Sequence, residues 1–111
     1  ELPNIILLVI DCFRDLSFNQ EYTPNIFSFS KKSQVFRNHY SGGNSTRPGV
    51  FSILYSIAPF YWNYFLNEQR SPVFLDTLSK LNYKMGIFSS TSLNFPEFRK
   101  NFTKRTITLG R

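Results

Sequence analysis

Near the middle of the 111-residue chain a small polar run, Ser41-Gly42-Gly43-Asn44-Ser45-Thr46-Arg47, leads through Pro48 into an apolar pattern at helical spacing. A hydroxyl at Thr46 would stand at a helix N-terminus, where free amides and the helix dipole favour an anion. The guanidinium of Arg47 can hold a phosphate or sulfate through two parallel hydrogen bonds. Asn44 is a further candidate contact to the same anion. Earlier in the chain, Asp11 is the first acidic residue after the apolar run Ile5 to Ile10, and its carboxylate is a hard oxygen ligand suited to a divalent cation. A hydroxyl whose pKa a metal lowers, beside an arginine that clamps the anion, is the equipment for transfer from a phosphate or sulfate ester. On that reading Thr46 is the nucleophile, Arg47 and Asn44 contact the anion, and Asp11 and Thr46 face the metal.

The same residues have plainer readings. Thr46 or Ser45 can be an ordinary helix cap, Asp11 a turn former, and Gly42-Gly43 a tight turn. His39, the single histidine, reads as packed or exposed within a strand rather than as a ligand. Asn44-Ser45-Thr46 and Asn101-Phe102-Thr103 both match the glycosylation sequon, which chance supplies often.

Several elements must position these side chains. The run from Asn4 to Asp11 is apolar on both faces and predicts a central parallel strand, with Asp11 at its carboxyl end, the edge where open α/β sheets place ligands. Thr23-Pro24 begins a helix that Lys31 and Lys32 close, and residues 34–40 alternate as a short strand. If those two strands share a sheet, the loops after Asp11 and after Tyr40 converge. Val50, Ile53, Leu54 and Ile57 predict the buried stripe of a helix beginning near Arg47. The aromatic stretch from Ala58 predicts a packed loop or short irregular helix. Ser71-Pro72 starts a further helix with the stripe Phe74, Leu75, Leu78 and Leu81, stopped by a left-handed Asn82. A strand over 83–90, a loop or single helical turn over 95–102 and a last strand over 106–110 complete an α/β order with a mainly parallel sheet flanked by helices.

Composition bounds the partners. Apolar residues are 41% of the chain and aromatics 18%, enough for a core in which thirteen phenylalanines accompany one tryptophan. The net charge of +6 favours acidic partners, and with no recognition-helix or stacking motif beside it, nucleic acid is not expected. A lone Cys12 forms no internal disulfide, no apolar run is long enough to span a membrane, and the first residues lack the features of a signal peptide.

"PNIILLVIDCFRD" followed by "TPNIFSFSKKSQVFRNHYSGGNSTRPGVFSILYSI" resembles the amino-terminal half of the sulfatase-like branch of the alkaline phosphatase superfamily. Within that branch the likeness is to the YejM-type inner-membrane proteins of Gram-negative bacteria. It covers residues 3–58 well and 71–90 more loosely. The resemblance implies that residues 1–111 are the amino-terminal part of a sulfatase-like domain. Asp11 matches the first metal-binding aspartate, Thr46 the nucleophile position and Arg47 the neighbourhood of the anion-contacting arginine. Two departures stand out: Ser45-Thr46-Arg47-Pro48-Gly49 does not reproduce the sulfatase Cys/Ser-x-Pro-x-Arg pattern, and Cys12 stands where many sulfatases carry a second aspartate. Formylglycine maturation, and with it true sulfatase activity, is therefore not expected.

The resemblance further implies a periplasmic domain of an inner-membrane protein, attached through segments absent here. Its role would be in lipopolysaccharide and anionic-lipid homeostasis, through binding of anionic lipid or lipid A headgroups. The alternative is a metal-dependent hydrolase or phosphotransferase with a Thr nucleophile. Its Mg, Mn or Zn would need further Asp and His ligands, so these residues alone would hold no ion tightly. Exposed strand edges would favour self-association.

Overall fold

A computed structural model of the chain describes residues 1–90, 92, 98–102 and 107–110. They form two compact units, Glu1–His39 and Tyr40–Arg111.

Local hydrogen bonds shape the middle of the first unit. After a 3-10 turn at Asp15–Ser17, Asn19 organises the chain: its Nδ2 donates to the Leu16 carbonyl at 2.8 Å, and its Oδ1 accepts the amides of Glu21 and Tyr22 at 2.9 and 2.8 Å. Helix α1 (Pro24–Ser30) then starts with the expected proline at its first position, where no amide donor is needed. Thr23 precedes it but caps nothing; its hydroxyl donates back to the Ser17 carbonyl at 2.8 Å. Lys31 falls on the residue after the helix, its ammonium 5.6 Å from the Phe27 ring. Phe18 meets Phe27 edge-on at 5.7 Å, and Arg37 lies over Phe18 while reaching Asp15 at 3.7 Å.

No residue of this unit is buried, and both strands expected in it are missing. Residues 1–10 carry no ladder and Ile6 is 94% exposed; residues 34–40 hold a turn at 37–38 instead of a strand. The physical reason is that a strand has no hydrogen bonds of its own. Apolar alternation favours the extended conformation, but a ladder needs a neighbour, and the one sheet among the described residues pairs other segments.

The second unit contains α2 (Thr46–Tyr55), a 3-10 turn (Pro59–Tyr61), α3 (Trp62–Asn67), α4 (Val73–Lys80), β1 (Met85–Phe88), α5 (Phe98–Phe102) and β2 (Ile107–Gly110). β1 and β2 pair in parallel, Met85 opposite Ile107 and Phe88 opposite Gly110. The stretch from Ala58, expected as a packed loop or short irregular helix, is thus helical. The loop or single helical turn expected over 95–102 is helical at Phe98–Phe102, and the strands expected over 83–90 and 106–110 form at Met85–Phe88 and Ile107–Gly110. Two helices end in the same way. Asn82, left-handed at φ 61°, donates to the Ser79 carbonyl while Tyr83 donates to that of Leu78, both at 3.0 Å. Gln69, at φ 47°, and Arg70 repeat this closure on Leu66 and Phe65. At the start of α4, Pro72 is the cap rather than the first helical residue, and the Ser71 hydroxyl donates to Asp76 at 2.5 Å.

The core is aromatic. Phe51, wholly buried, stacks on Tyr55 at 4.3 Å and meets Trp62 and Phe65 edge-on at 5.8 and 5.7 Å. Leu75 of α4 and Phe98 of α5 complete it, with Met85 and Ile87 of β1 packed against it. This turns α2 away from the face expected. Val50 and Leu54 are half-buried, but Ile53 is 45% exposed, Ile57 is exposed beyond the helix, and Phe51 and Tyr55 take the centre. Rings bury more area than branched aliphatics and gain further from edge-on geometry, so they decide which face turns inward. In α4, Leu75 is buried as expected while Leu81, past the helix end, is exposed.

A buried polar contact ties α5 to this core. The Tyr55 hydroxyl donates to the Arg70 carbonyl at 2.7 Å and accepts from Asn101 Nδ2 at 2.8 Å. Burial pushes the Tyr55 phenol up from 10.0 to about 12; the Asn101 hydrogen bond pulls it partly back and the Asp76 carboxylate adds to the rise.

Two outcomes are expected. Phe51→Ala should lower the unfolding free energy by about 3–5 kcal/mol, whereas Ile53→Ala should stay within about 0.5 kcal/mol of wild type, both read by urea unfolding. Between pH 10 and about 12 the unfolded chain loses the Tyr55 proton before the folded one. Stability present below pH 10 should therefore fall through that window. Tyr55→Phe should remove that component of the slope while costing about 1–3 kcal/mol at neutral pH through the stranded Asn101 and Arg70 groups.

Candidate functional site

The loop before α2 is built by close packing. A Cβ on Gly42 would overlap the Ser52 side chain, and one on Gly43 would come within 2.5 Å of Pro48 Cβ. The glycine pair therefore lets the loop fold back onto the first turns of α2, a close approach that no larger residue permits. Ser41 braces it: its hydroxyl donates to the Gly43 carbonyl at 2.7 Å and accepts the Gly43 amide at 3.3 Å. The Ser52 hydroxyl in turn lies within 2.9 Å of the Pro48 carbonyl and 3.0 Å of the Gly49 carbonyl.

On this base, Ser45 is the cap residue of α2 in extended conformation, with no side-chain bond to the helix amides. Thr46 is the first helical residue and half-buried; Arg47 is the second, also half-buried, with its Nε withdrawn from solvent. The Arg47 guanidinium lies over the Trp62 ring at 5.7 Å. Asn44 is exposed in the loop. Three expected anion-site residues thus share one short segment and one helix end.

Asp11 belongs to the other unit. It is exposed and forms a turn, its Oδ1 accepting the amide of Cys12 at 3.0 Å, with Cys12 itself left-handed at φ 57°. That is the turn-former reading of this residue. No group of three or more His, Cys, Asp or Glu stands close enough to share an ion among the described residues. A single carboxylate is not the donor set of a divalent cation, which takes several oxygen ligands. His39 is exposed and sits in no strand. Of the two sequons, Asn44 is accessible, whereas Asn101 is wholly buried and engaged with Tyr55, so the second is closed to modification. Arg99 and Lys100 of the carboxyl-terminal basic cluster are exposed on α5; Lys104, Arg105 and Arg111 lie outside the described residues.

Trp62 is the neighbour of Arg47 that sequence reasoning missed. Nothing in the spacing from Arg47 announces the contact; the only signal was an isolated tryptophan in a stretch rich in phenylalanine and tyrosine.

Short helices accompanied by one parallel strand pair, with a hydroxyl and an arginine at the start of α2, make this an α/β protein. The Sulfatase family profile matches residues 3–108, and the chain belongs to that family, whose fold is the α/β fold of the alkaline phosphatase type. An uncharacterized protein of Haemophilus influenzae is 32% identical over 98 residues, 88% of this chain and 17% of the relative. The inner membrane protein YejM of Salmonella typhimurium is 28% identical over 97 residues, 87% of this chain and 16% of that protein, and YejM of Salmonella typhi matches equally. The chain therefore spans about one-sixth of the length of these relatives. No solved structure gives a significant match. No helix among the described residues is long and apolar enough to cross a membrane.

The packing of the loop separates the glycines by role. Gly42→Ala should destabilise by about 1–3 kcal/mol through overpacking against Ser52. Gly49→Ala, inside α2 with only an ordinary 3.4 Å contact to Ser41 Oγ, should instead stabilise by up to about 1 kcal/mol. Thermal unfolding of the two variants checks both.

Proposed function

We propose that this chain carries the anion-recognising loop of a membrane-associated Sulfatase-family protein. The loop binds phosphate-bearing lipid headgroups, lipid A among them, and serves lipopolysaccharide and anionic-lipid homeostasis of a Gram-negative envelope by binding and regulation. The observation that carries the reading is Arg47, a half-buried cation in the first turn of α2 beside Thr46 and the glycine-packed loop. A guanidinium there adds to the helix end a planar donor set suited to a tetrahedral anion. The net charge of +6 and the Salmonella relatives named as inner membrane proteins support the setting. On this reading the protein is held at the periplasmic face of the inner membrane by segments outside these residues. The β1–β2 pair is then part of a larger, mainly parallel sheet with helices on its faces.

A second reading is favoured by the place of Thr46 at the first helical position: a hydrolase or phosphotransferase using its hydroxyl as nucleophile, with Mg, Mn or Zn held by Asp11 and by ligands outside these residues.

Flotation of the full-length protein with phosphatidylcholine vesicles, with and without lipid A, tests the first reading. Binding should require lipid A, weaken as salt screens it, survive Thr46→Ala and chelation, and fall at least about threefold in Arg47→Met, the loss of one charge-assisted contact. Binding indifferent to Arg47 would refute it. Phosphomonoester turnover with Mg²⁺, Mn²⁺ or Zn²⁺ that disappears in Thr46→Ala would establish the second.

A further inference from the structure

Arg47 is not placed by its own loop alone. Its guanidinium lies over the ring of Trp62, the single tryptophan of the chain, at 5.7 Å. That ring is 5% exposed and boxed on two sides, by Phe51 at 5.8 Å and 89° and by Phe98 at 5.0 Å and 71°. It cannot turn away without opening contacts among α2, α3 and α5.

We propose that Trp62 is a positioning residue for anion recognition, its indole face fixing the Arg47 guanidinium so that the in-plane N–H groups meet the oxygens of a phosphate or sulfate ester. The inference rests on the reading of Arg47 as the anion contact. The geometry suits it because a π face and an anion use different parts of a guanidinium: the ring quadrupole attracts the flat face of the cation, while hydrogen bonds leave from its edge. Arginine is also a long side chain whose rotamers are lost on binding, and a contact that restricts them beforehand reduces that loss. The core therefore acts on the site through one ring. A substitution at Trp62 should change anion affinity even though the residue touches no anion.

The test uses the full-length protein labelled with 5-fluorotryptophan. The Trp62 resonance is identified by its disappearance in Trp62→Phe, and inorganic phosphate is titrated while broadening of its ³¹P line reports binding. The Trp62 fluorine signal should shift along the same saturation curve as the phosphorus line, and the shift should shrink in Arg47→Lys, which keeps the charge but not the planar fork. Trp62→Leu should raise the phosphate dissociation constant by about 3- to 30-fold, the span of a partly desolvated cation–π contact. Trp62→Phe, retaining a π face, should stay within about threefold on the same scale. Phosphate binding that leaves the Trp62 signal unmoved would overturn the positioning role while sparing Arg47 as the anion contact. Trp62→Leu binding phosphate as tightly as wild type would do the same. No phosphate binding by wild type would remove the anion site itself and this inference with it.

Discussion

The contact on which the second unit depends is the stacking of Phe51 on Tyr55 within α2, with Trp62 and Phe65 set edge-on against Phe51. Phe51 and Tyr55 lie one turn apart, so the helix presents two rings to the interior as one surface. Trp62 and Phe65 bring α3 to it, and Leu75 and Phe98 bring α4 and α5. Aromatic pairs prefer edge-on or offset geometry, which fixes relative orientation as well as distance. Because Thr46 and Arg47 open the same helix, the orientation of the loop that precedes it is inherited from this cluster.

The buried polar atoms follow the same logic. Tyr55 is useful at the centre only if its hydroxyl is satisfied, and it finds both a carbonyl acceptor at Arg70 and an amide donor at Asn101. Arg70 owes its place to the left-handed closure at Gln69, so a helix C-terminus supplies the acceptor that lets a tyrosine be buried. The first unit has no equivalent. The hydrogen bonds around Asn19 and Thr23 run over short spans, and the apolar side chains from Leu2 to Ile10 stay exposed. Local bonds can shape a turn and start a helix, but only burial against other elements stabilises them substantially.

Much of this architecture was legible because it rests on local chemistry. Pro24 marked the start of α1, Asn82 the end of α4, and the polar run from Ser41 the entry to α2, since each of these depends on a residue's own backbone preferences. Gln69 ends α3 by the same closure as Asn82 but is not a residue that favours left-handed backbone, so it gave no sign. The expected strands at 4–11 and 34–40 failed where pattern had to stand for a neighbour. Periodicity points to the wrong face of α2 because it weighs Ile53 and Phe51 alike, whereas packing does not. For the site, the residue types of the loop were readable, and the glycine pair proved necessary for packing against Ser52 and Pro48. The contact between Arg47 and Trp62 was not readable, because it depends on how α2 and α3 pack.

That contact also separates two kinds of positive charge in the molecule. Most of the thirteen basic residues are charges on a solvated surface, where attraction for an anion is long-ranged, unspecific and screened within about 10 Å at moderate salt. Arg47 is partly withdrawn from water and set against a ring, where an electrostatic contact is screened less and direction matters more. A diffuse basic surface can gather a protein onto an anionic layer, but it does not distinguish one phosphate group from another. A single guanidinium held in place by a core that cannot easily move can do so, because the anion must then come to the donors' geometry. On the reading proposed for Arg47, the specificity of the loop would therefore be a property of the aromatic core beneath it as much as of the residues that line it.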